Sequence, residues 1–577
     1  MNKKIKISPN SPVVTLTDKQ YLAAGGEGEI YVNGGKAYKL YHDPTKKNLP
    51  VSKLRELSCI KDSSVIVPQN LVYDASTGDS IGYVTDFIQN VNPLLRLFTK
   101  AFKQNNNIDE KMVAEFIKKM QLVTINIHAA HCLIVDYNEL NVLFRMEPTE
   151  LIPFYIDTDS FATPSHKATA VMDSIRDRKF SSFDKDGILH YQPTIESDWF
   201  SFAILSFWMY CNIHPFRGNH PKYRPKDKQK QMDDGISVFH KDVRVPPTVN
   251  NFNVIPKRHR DWYEGLFLRG DRSAPPLADS SVPMFVPAAI VTIKGTGQID
   301  VMQMDAYSSN VMSLSQFMGI NYVVTQKHAY AGQRELLDCS WAKKTLIVPA
   351  TDGTMVAALL KGTTVTFVEL ATGKNIGSIS TNGDMFSRNG CIYTISANGK
   401  LIENSFTALG TKLIHRILEV ENVSVYSTTM FEGGAIQDLL GKQHIVMPYA
   451  KGRCFSKHIP QLDKHRIVSC KSDKNITVVL GEHNGQYDRF ILIFDKDYKT
   501  IDVRKVEDVA FDEINFAVTE NGLCALLSSP TELELFVNSQ KVEVLNDPPF
   551  DSSMKLFATP DGLFFINGTT IHQIKKK

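Results

Sequence analysis

The sequence predicts a multidomain protein, with an α+β, two-lobed first half and an all-β second half. Three observations lead there. At 577 residues the chain is too long for a single hydrophobic core. Its first part opens with short strand-like runs and continues with long apolar helical patterns. Beyond a Pro-rich junction the helical periodicity stops, and short β-type runs follow one another between Asn-Gly and Asp-Gly turns.

In chain order, Leu22-Ala23-Ala24-Gly25-Gly26-Glu27-Gly28-Glu29-Ile30-Tyr31 reads as a Gly-rich turn entering a strand. Glycines there let a backbone approach phosphates closely and offer N–H donors to their oxygens. A short hairpin turn at Asn33-Gly34-Gly35 leads to the strand Ala37-Tyr38-Lys39-Leu40, which carries an inward-capable lysine. This strand-rich small lobe runs to about residue 90, and a helical large lobe follows to about residue 275. Between Asp109 and His131, Met112, Val113, Phe116, Ile117, Met120 and Val123 recur at helical spacing and predict a core-facing helix. His128 and His131 at its end have no third ligand and make no zinc site. Next come Val135-Asp136-Tyr137-Asn138-Glu139-Leu140-Asn141-Val142-Leu143-Phe144 and Tyr155-Ile156-Asp157-Thr158-Asp159. The stretch from Thr163 to His190 is rich in Ser, Lys and Asp and reads as a polar, mobile segment. Ser197 to Leu205 opens a helix apolar nearly all round, which requires burial in a sizeable core. His214-Pro215-Phe216 follows its end, and Leu266 to Ser273 reads as a further helix stopping at Gly270.

Taken together, these motifs resemble the eukaryotic-type protein kinase family, especially its compact, divergent bacterial and phage-type members, over about residues 15–275. The resemblance implies a serine/threonine-type phosphotransferase using ATP and Mg2+. It implies that Gly25 and Gly28, with Gly26 between them, belong to the phosphate loop, Ala23 standing where a first glycine is usual. Lys39 matches the lysine on the α- and β-phosphates, and Glu56 its helix-borne ion-pair partner. Asp136 matches the catalytic base, Asn141 and Asp157 the metal ligands, and Asp198 and Arg272 structural residues. The departures are specific. Ile134 and Val135 replace the usual His and Arg before the base, which removes the common partner of a phosphorylated activation loop. Asn138 stands where a lysine is common, and Asp159 where a glycine is usual; its carboxylate either joins the metal site or faces solvent beside it.

Composition narrows the partners. Formal net charge is +3, from 65 basic and 62 acidic side chains, which gives no basis for a nucleic-acid partner. The closing Lys575-Lys576-Lys577 is too short to change this, since such a run is more often a solvated tail than a binding patch. Eight scattered cysteines without a C-x-x-C pair read as reduced thiols in a cytosol-like compartment. The first residues lack the apolar core of a signal peptide, and the longest apolar run, around Phe202 to Cys211, is too short to span a bilayer. A soluble, cytoplasmic protein without membrane partners is expected.

Prolines from Pro275 to Pro287 mark a linker at about 276–290. Beyond it come turns at Asp352-Gly353, Asn389-Gly390, Asn484-Gly485, Asn521-Gly522 and Asp561-Gly562; the gaps from Asp352 to Asn389, Asn484 to Asn521 and Asn521 to Asp561 are 37, 37 and 40 residues, close to one propeller blade, and between Asn398 and Asn484 the pattern places no boundary. Asn-Gly pairs at Asn382, Asn398 and Asn567 break the spacing. The expectation is a β-propeller over residues 291–577, with about six or seven blades, against the alternative of a sandwich or two small β domains. With no catalytic constellation of its own, this half is expected to dock a protein substrate or partner. The alternatives for the whole chain are a pseudokinase scaffold or virion-type structural protein with weak or no catalysis, and a small-molecule kinase.

Overall fold

The computed structural model describes residues 2–576 apart from 169, 187–188, 224–226, 247–248, 277–298, 411, 496, 512, 530–531, 539 and 547. The Pro-rich junction expected at 276–290 therefore lies, except for Pro276, outside the described residues. The chain divides into two compact units, Met1–Ile290 and Val291–Lys577. It is mostly β, with few helices.

In the first unit, β1 (Lys3–Lys6), β2 (Val14–Leu16), β3 (Tyr21–Ala24), β4 (Gly28–Asn33), β5 (Lys36–Tyr41), β6 (Asn70–Asp74) and β7 (Ser80–Asp86) form one antiparallel sheet. Their order is β2-β1-β6-β7-β5-β4-β3. Side chains alternate between the faces of a strand. Tyr38 and Leu40 of β5 accordingly join Ile5, Leu16, Tyr21, Tyr31, Val72 and Val84 in a core. Lys39 and Tyr41 are thereby directed to the opposite face, where Tyr83 of β7 is paired directly across from Lys39. A short helix, α1 (Val51–Leu57), follows β5.

The rest of the unit is built around two long helices. After α2 (Lys100–Asn105), α3 (Glu110–Ala129) starts at Asp109, whose side chain accepts a bond from the Met112 N–H at 2.7 Å. It buries Val113, Phe116, Ile117, Met120 and Val123, five of the six stripe residues. A three-stranded sheet of β8 (Val91–Pro93), β9 (Val142–Met146) and β10 (Leu151–Tyr155) has the order β10-β9-β8. Helix α4 (Ile195–Cys211) is capped reciprocally by Thr194 and Ser197 and is buried from Ser197 to Cys211. Its lack of amphipathicity has this cause: protein surrounds it on every side.

Among the described residues, the second unit holds seven four-stranded antiparallel sheets, spanning 311–338, 344–380, 386–422, 428–458, 466–506 and 516–546, with the seventh made by Ile299–Ala306 beside the last three strands at 556–576. Consecutive sheets share cores. In Met355–Lys361, Met355, Ala357 and Leu359 pack against Val324 and Ala329 of the preceding sheet. The alternate residues Val356, Ala358 and Leu360 pack with Met385, Ile392 and Phe406 of the following one. Both faces of this strand are covered, which is why its sequence is apolar without alternation.

The turn between the first and second strands of each sheet is the true repeat. It falls at Gly319, Gly353, Gly390, Gly433, Lys474, Gly522 and Asp561. Asn484-Gly485, which the spacing grouped with these turns, is instead the second turn of its sheet, between Ile476–His483 and Gln486–Phe494. Among the described residues, no helix is long and apolar enough to cross a membrane.

His214, at the end of α4, gives the fold a pH dependence. Its Nδ1 accepts from the Phe216 N–H at 3.1 Å and its Nε2–H donates to the Ser174 carbonyl at 2.9 Å, so the ring is fixed as the neutral tautomer. Burial, with Arg217 adding, lowers its pKa to about 3. The unfolded chain takes a proton near pH 6.5 that the folded chain refuses. Stability is therefore expected to fall as pH drops through 6.5 toward 3. Urea unfolding at stepped pH checks this, and the slope should flatten in His214→Gln.

Candidate functional site

Hairpin β9/β10 brings two of the sequence-singled residues together. Asn141 immediately precedes β9 and Asp157 follows β10 by two residues. The register Tyr155 to Val142, continued by the Ile156 N–H bond to the Asn141 carbonyl at 2.9 Å, holds both ends of the hairpin side by side.

Asp136 is held from the other side of the same loop. Its Oδ2 accepts from Asn138 Nδ2 at 2.9 Å and Asn141 Nδ2 at 3.3 Å, and its Oδ1 from the Met172 N–H at 2.9 Å. Burial pushes its pKa up, against the pull of these bonds. Asn138 also accepts from the Leu140 and Asn141 N–H groups at 2.8 and 3.0 Å, so it closes the turn that carries Asn141. Val135 is left-handed, with φ 66°, a strained conformation for a β-branched residue. Asp198, in the first turn of α4, holds that conformation by accepting from the Ile134 and Val135 N–H groups at 2.7 and 2.9 Å. His128 Nε2 lies 3.0 Å from the same carboxylate, which gives this histidine a partner other than a metal. Arg272 makes a two-pronged pair with buried Asp177, its Nη2 2.6 Å from Oδ1, and stacks on Phe200.

Lys39 reaches this hairpin from the sheet, 118 residues away in sequence, and pairs with Asp157 Oδ1. It also lies 3.1 Å from Asp159 Oδ1 and 3.3 Å from Glu27 of the Gly-rich turn. Burial alone pulls its pKa down, but Asp157, Asp159 and Glu27 outweigh that and hold it well above the ordinary value. Asp157 adopts a left-handed backbone, φ 58°, and its pKa is raised by burial and by Asp159, with Lys39 opposing. Asp159 stays the more acidic of the two, because Lys39, Lys47 and the Tyr83 hydroxyl offset its burial.

Two expectations are corrected. Glu56 is not the partner of Lys39: its carboxylate accepts from Thr163 Oγ1 and the Ser165 N–H, and lies 3.1 Å from His166 Nδ1. It is Lys53, one turn earlier on α1, that reaches this segment, with Nζ 2.6 Å from the Asp159 carbonyl. Asp159 neither joins Asn141 and Asp157 nor faces solvent. It is 4% exposed, and its two oxygens accept from Tyr83 Oη at 2.7 Å and Tyr41 Oη at 2.9 Å. Sequence reasoning missed Tyr41, Tyr83 and Lys53. Alternation along β5 puts Tyr41 on the face of Lys39, but Tyr83 depends on a strand register that a single sequence does not show.

The glycines differ among themselves. A Cβ on Gly28 would meet the Leu40 carbonyl oxygen at 2.3 Å, so β4 and β5 require glycine there. Around Gly25 and Gly26 a Cβ would meet nothing within 4 Å. The Gly25 N–H donates to the Gly28 carbonyl at 2.9 Å and tightens the turn.

No family model matches the chain, and no curated protein matches its sequence. Among solved structures it is similar to a rhoptry kinase from Toxoplasma gondii, at 11% identity and a TM-score of 0.34, covering 48% of this chain and 80% of that one.

Gly28→Ala is expected to destabilise the first unit by roughly 1–3 kcal/mol through overpacking. Gly26→Ala should stay within about 0.5 kcal/mol, since its surroundings are open. Thermal unfolding of the two variants beside the parent checks both values.

Proposed function

We propose that the chain is an ATP- and Mg2+-dependent phosphotransferase of the serine/threonine protein-kinase type, and that its second half is a seven-bladed β-propeller that docks a protein substrate or partner. The observation that carries the reading is the convergence of Lys39 and Asp157 beside the loop that joins Asp136 to Asn141. Phosphoryl transfer rests mainly on positioning and charge neutralisation, and this arrangement supplies a fixed cation, a carboxylate of raised pKa and two oxygen donors.

The donor set fits Mg2+. Asp157 is one-third exposed, and the Asn141 side-chain oxygen accepts no hydrogen bond among the described residues. A carboxylate and an amide oxygen are hard ligands of the kind that ion takes. When bound, the ion would neutralise phosphate charge. In this reading Lys39 holds the α- and β-phosphates, the open turn at Gly25 and Gly26 lets backbone approach them, and Asp136 orients or deprotonates the acceptor hydroxyl.

The propeller reading rests on the seven sheets, on cores shared between consecutive sheets, and on the pairing of Ile299–Ala306 with Thr570–Lys576. Val311–Phe317 touches both Lys344–Pro349 and Leu556–Thr559, as a closed ring of blades requires. Docking is assigned to this half because the phosphotransfer constellation lies wholly in the first unit. Eight free cysteines support a reducing, cytoplasmic setting.

A second reading, a nucleotide-binding scaffold without transfer, is favoured by the Met172 N–H on Asp136 and by Asn138 in place of a lysine. One experiment separates the two. ATP with Mg2+ should raise the melting temperature of the protein, and Lys39→Ala and Asp157→Ala should lose that shift. Phosphate transfer from labelled ATP should fall at least ~100-fold in Asp136→Asn. A thermal shift without any transfer by the parent protein selects the scaffold.

A fragment starting near residue 290 should be soluble and β-rich by circular dichroism, and should unfold separately. Removing it should spare ATP binding and reduce phosphorylation of the docked target. A helical fragment, or loss of ATP binding on its removal, would defeat the two-module reading.

A further inference from the structure

Lys39 needs an anion to hold its ammonium in place, and the first unit supplies that anion from an unexpected element. Asp157 is one-third exposed and, in the phosphotransferase reading, belongs to the metal. Glu27 sits on the Gly-rich turn with its side chain 41% exposed, where it also pairs with Lys47. Asp159 differs from both. Its side chain is 1% exposed, and Lys39 Nζ lies 3.1 and 3.3 Å from its two oxygens.

The surroundings of Asp159 are built to fix it. Tyr83 donates to Oδ1 and Tyr41 to Oδ2, so each oxygen has a dedicated hydroxyl besides the lysine. Both rings flank Lys39, whose Nζ lies 5.9 Å from the Tyr41 ring centroid and 5.7 Å from that of Tyr83. Lys53 of α1 holds the Asp159 carbonyl at 2.6 Å. With its oxygens engaged and no solvent path, Asp159 is a poor metal ligand and a good anchor.

We propose that Asp159 is the positioning residue of Lys39. It takes the part that the family resemblance assigned to a helix carboxylate, so the lysine is set by the segment after Asp157 and needs no carboxylate from α1. This rests on the reading of Lys39 as a phosphate-binding group. Its consequence is regulatory: α1 acts on the site through Lys53 and the Asp159 backbone, not through a carboxylate on Lys39.

The test is binding of ADP by the full chain in EDTA, measured by isothermal titration calorimetry, which reads Lys39 without the metal. Asp159→Asn should weaken ADP roughly tenfold, the order expected for a lost charge-assisted bond. Glu56→Gln should stay within about twofold of the parent protein, because its carboxylate contacts Thr163, Ser165 and His166 instead. In a Lys39→Ala background, Asp159→Asn should add nothing, an outcome that a merely structural role would not give.

Tyr41→Phe and Tyr83→Phe each remove one hydroxyl from Asp159 and should weaken ADP to a lesser degree, which keeps the idea testable if Asp159→Asn does not fold. Parent-like ADP affinity in folded Asp159→Asn, or in both tyrosine variants where it does not fold, overturns the proposal while sparing the phosphotransferase reading. Equal losses in Glu56→Gln and Asp159→Asn also overturn it. A parent protein that binds no ADP overturns both.

Discussion

Lys39 carries a charge into a site where its side chain is 11% exposed, and the first unit is arranged around neutralising it. An unpaired ammonium there would cost several kcal/mol. Three carboxylates meet it instead, one from the Gly-rich turn and two from the segment that follows β10. A buried ion cluster of this kind adds little net stability, because desolvation consumes most of the Coulomb gain. Its effect is geometric. It ties the face of the seven-stranded sheet to the end of the β9/β10 hairpin, and so sets where Asp157 stands relative to Lys39.

The Asp136 loop follows the same logic with a different anchor. Asp198 directs its carboxylate to two backbone N–H groups and to His128. It lies in the first turn of α4, where unpaired helix N–H groups favour an anion. What those bonds maintain is the left-handed Val135, and with it the direction of Asp136. Arg272 and Asp177 add a second buried pair between the polar segment and the end of the helical part. Removing either partner of such a pair strands a charge.

Much of this was legible in the sequence, and the rest was not for identifiable reasons. Asn141 and Asp157 could be read because they flank one local hairpin, with Asp136 in the loop before it, whereas Gly28, read as a phosphate-loop glycine, has a requirement the sequence did not show, the close pairing of β4 and β5. Glu56 was misread because helical periodicity places a residue on a face without saying what that face meets. Lys53, three positions earlier, turned out to point at the site. Asp159 was visible as a carboxylate out of place, but its partners Tyr41 and Tyr83 come from strands paired through a non-local register. In the second unit the turn count failed between Asn398 and Asn484 because two repeat turns there lack Asn-Gly. One uses Glu432-Gly433, and the other bends at Lys474, with φ 48°. Arg388 donates to the carbonyls of both Gly433 and Lys474 and supports these turns from a neighbouring sheet. Tertiary contacts there replace the local signal that an Asn-Gly pair would have given.

That substitution bears on how the second unit holds together. A strand such as Met355–Lys361 buries both faces, each against a different neighbouring sheet, so no single sheet has a complete core of its own. Stability then resides in the interfaces between sheets and is shared along the array. The seventh sheet makes the sharing close: Ile299–Ala306, first in sequence, is the outer partner of Thr570–Lys576, last in sequence. Its antiparallel bonds require residues almost the full length of the unit apart to be held together, and loop-closure entropy opposes that until the intervening sheets have stacked. The interfaces of the intervening sheets offset the entropy of joining ends so far apart in sequence.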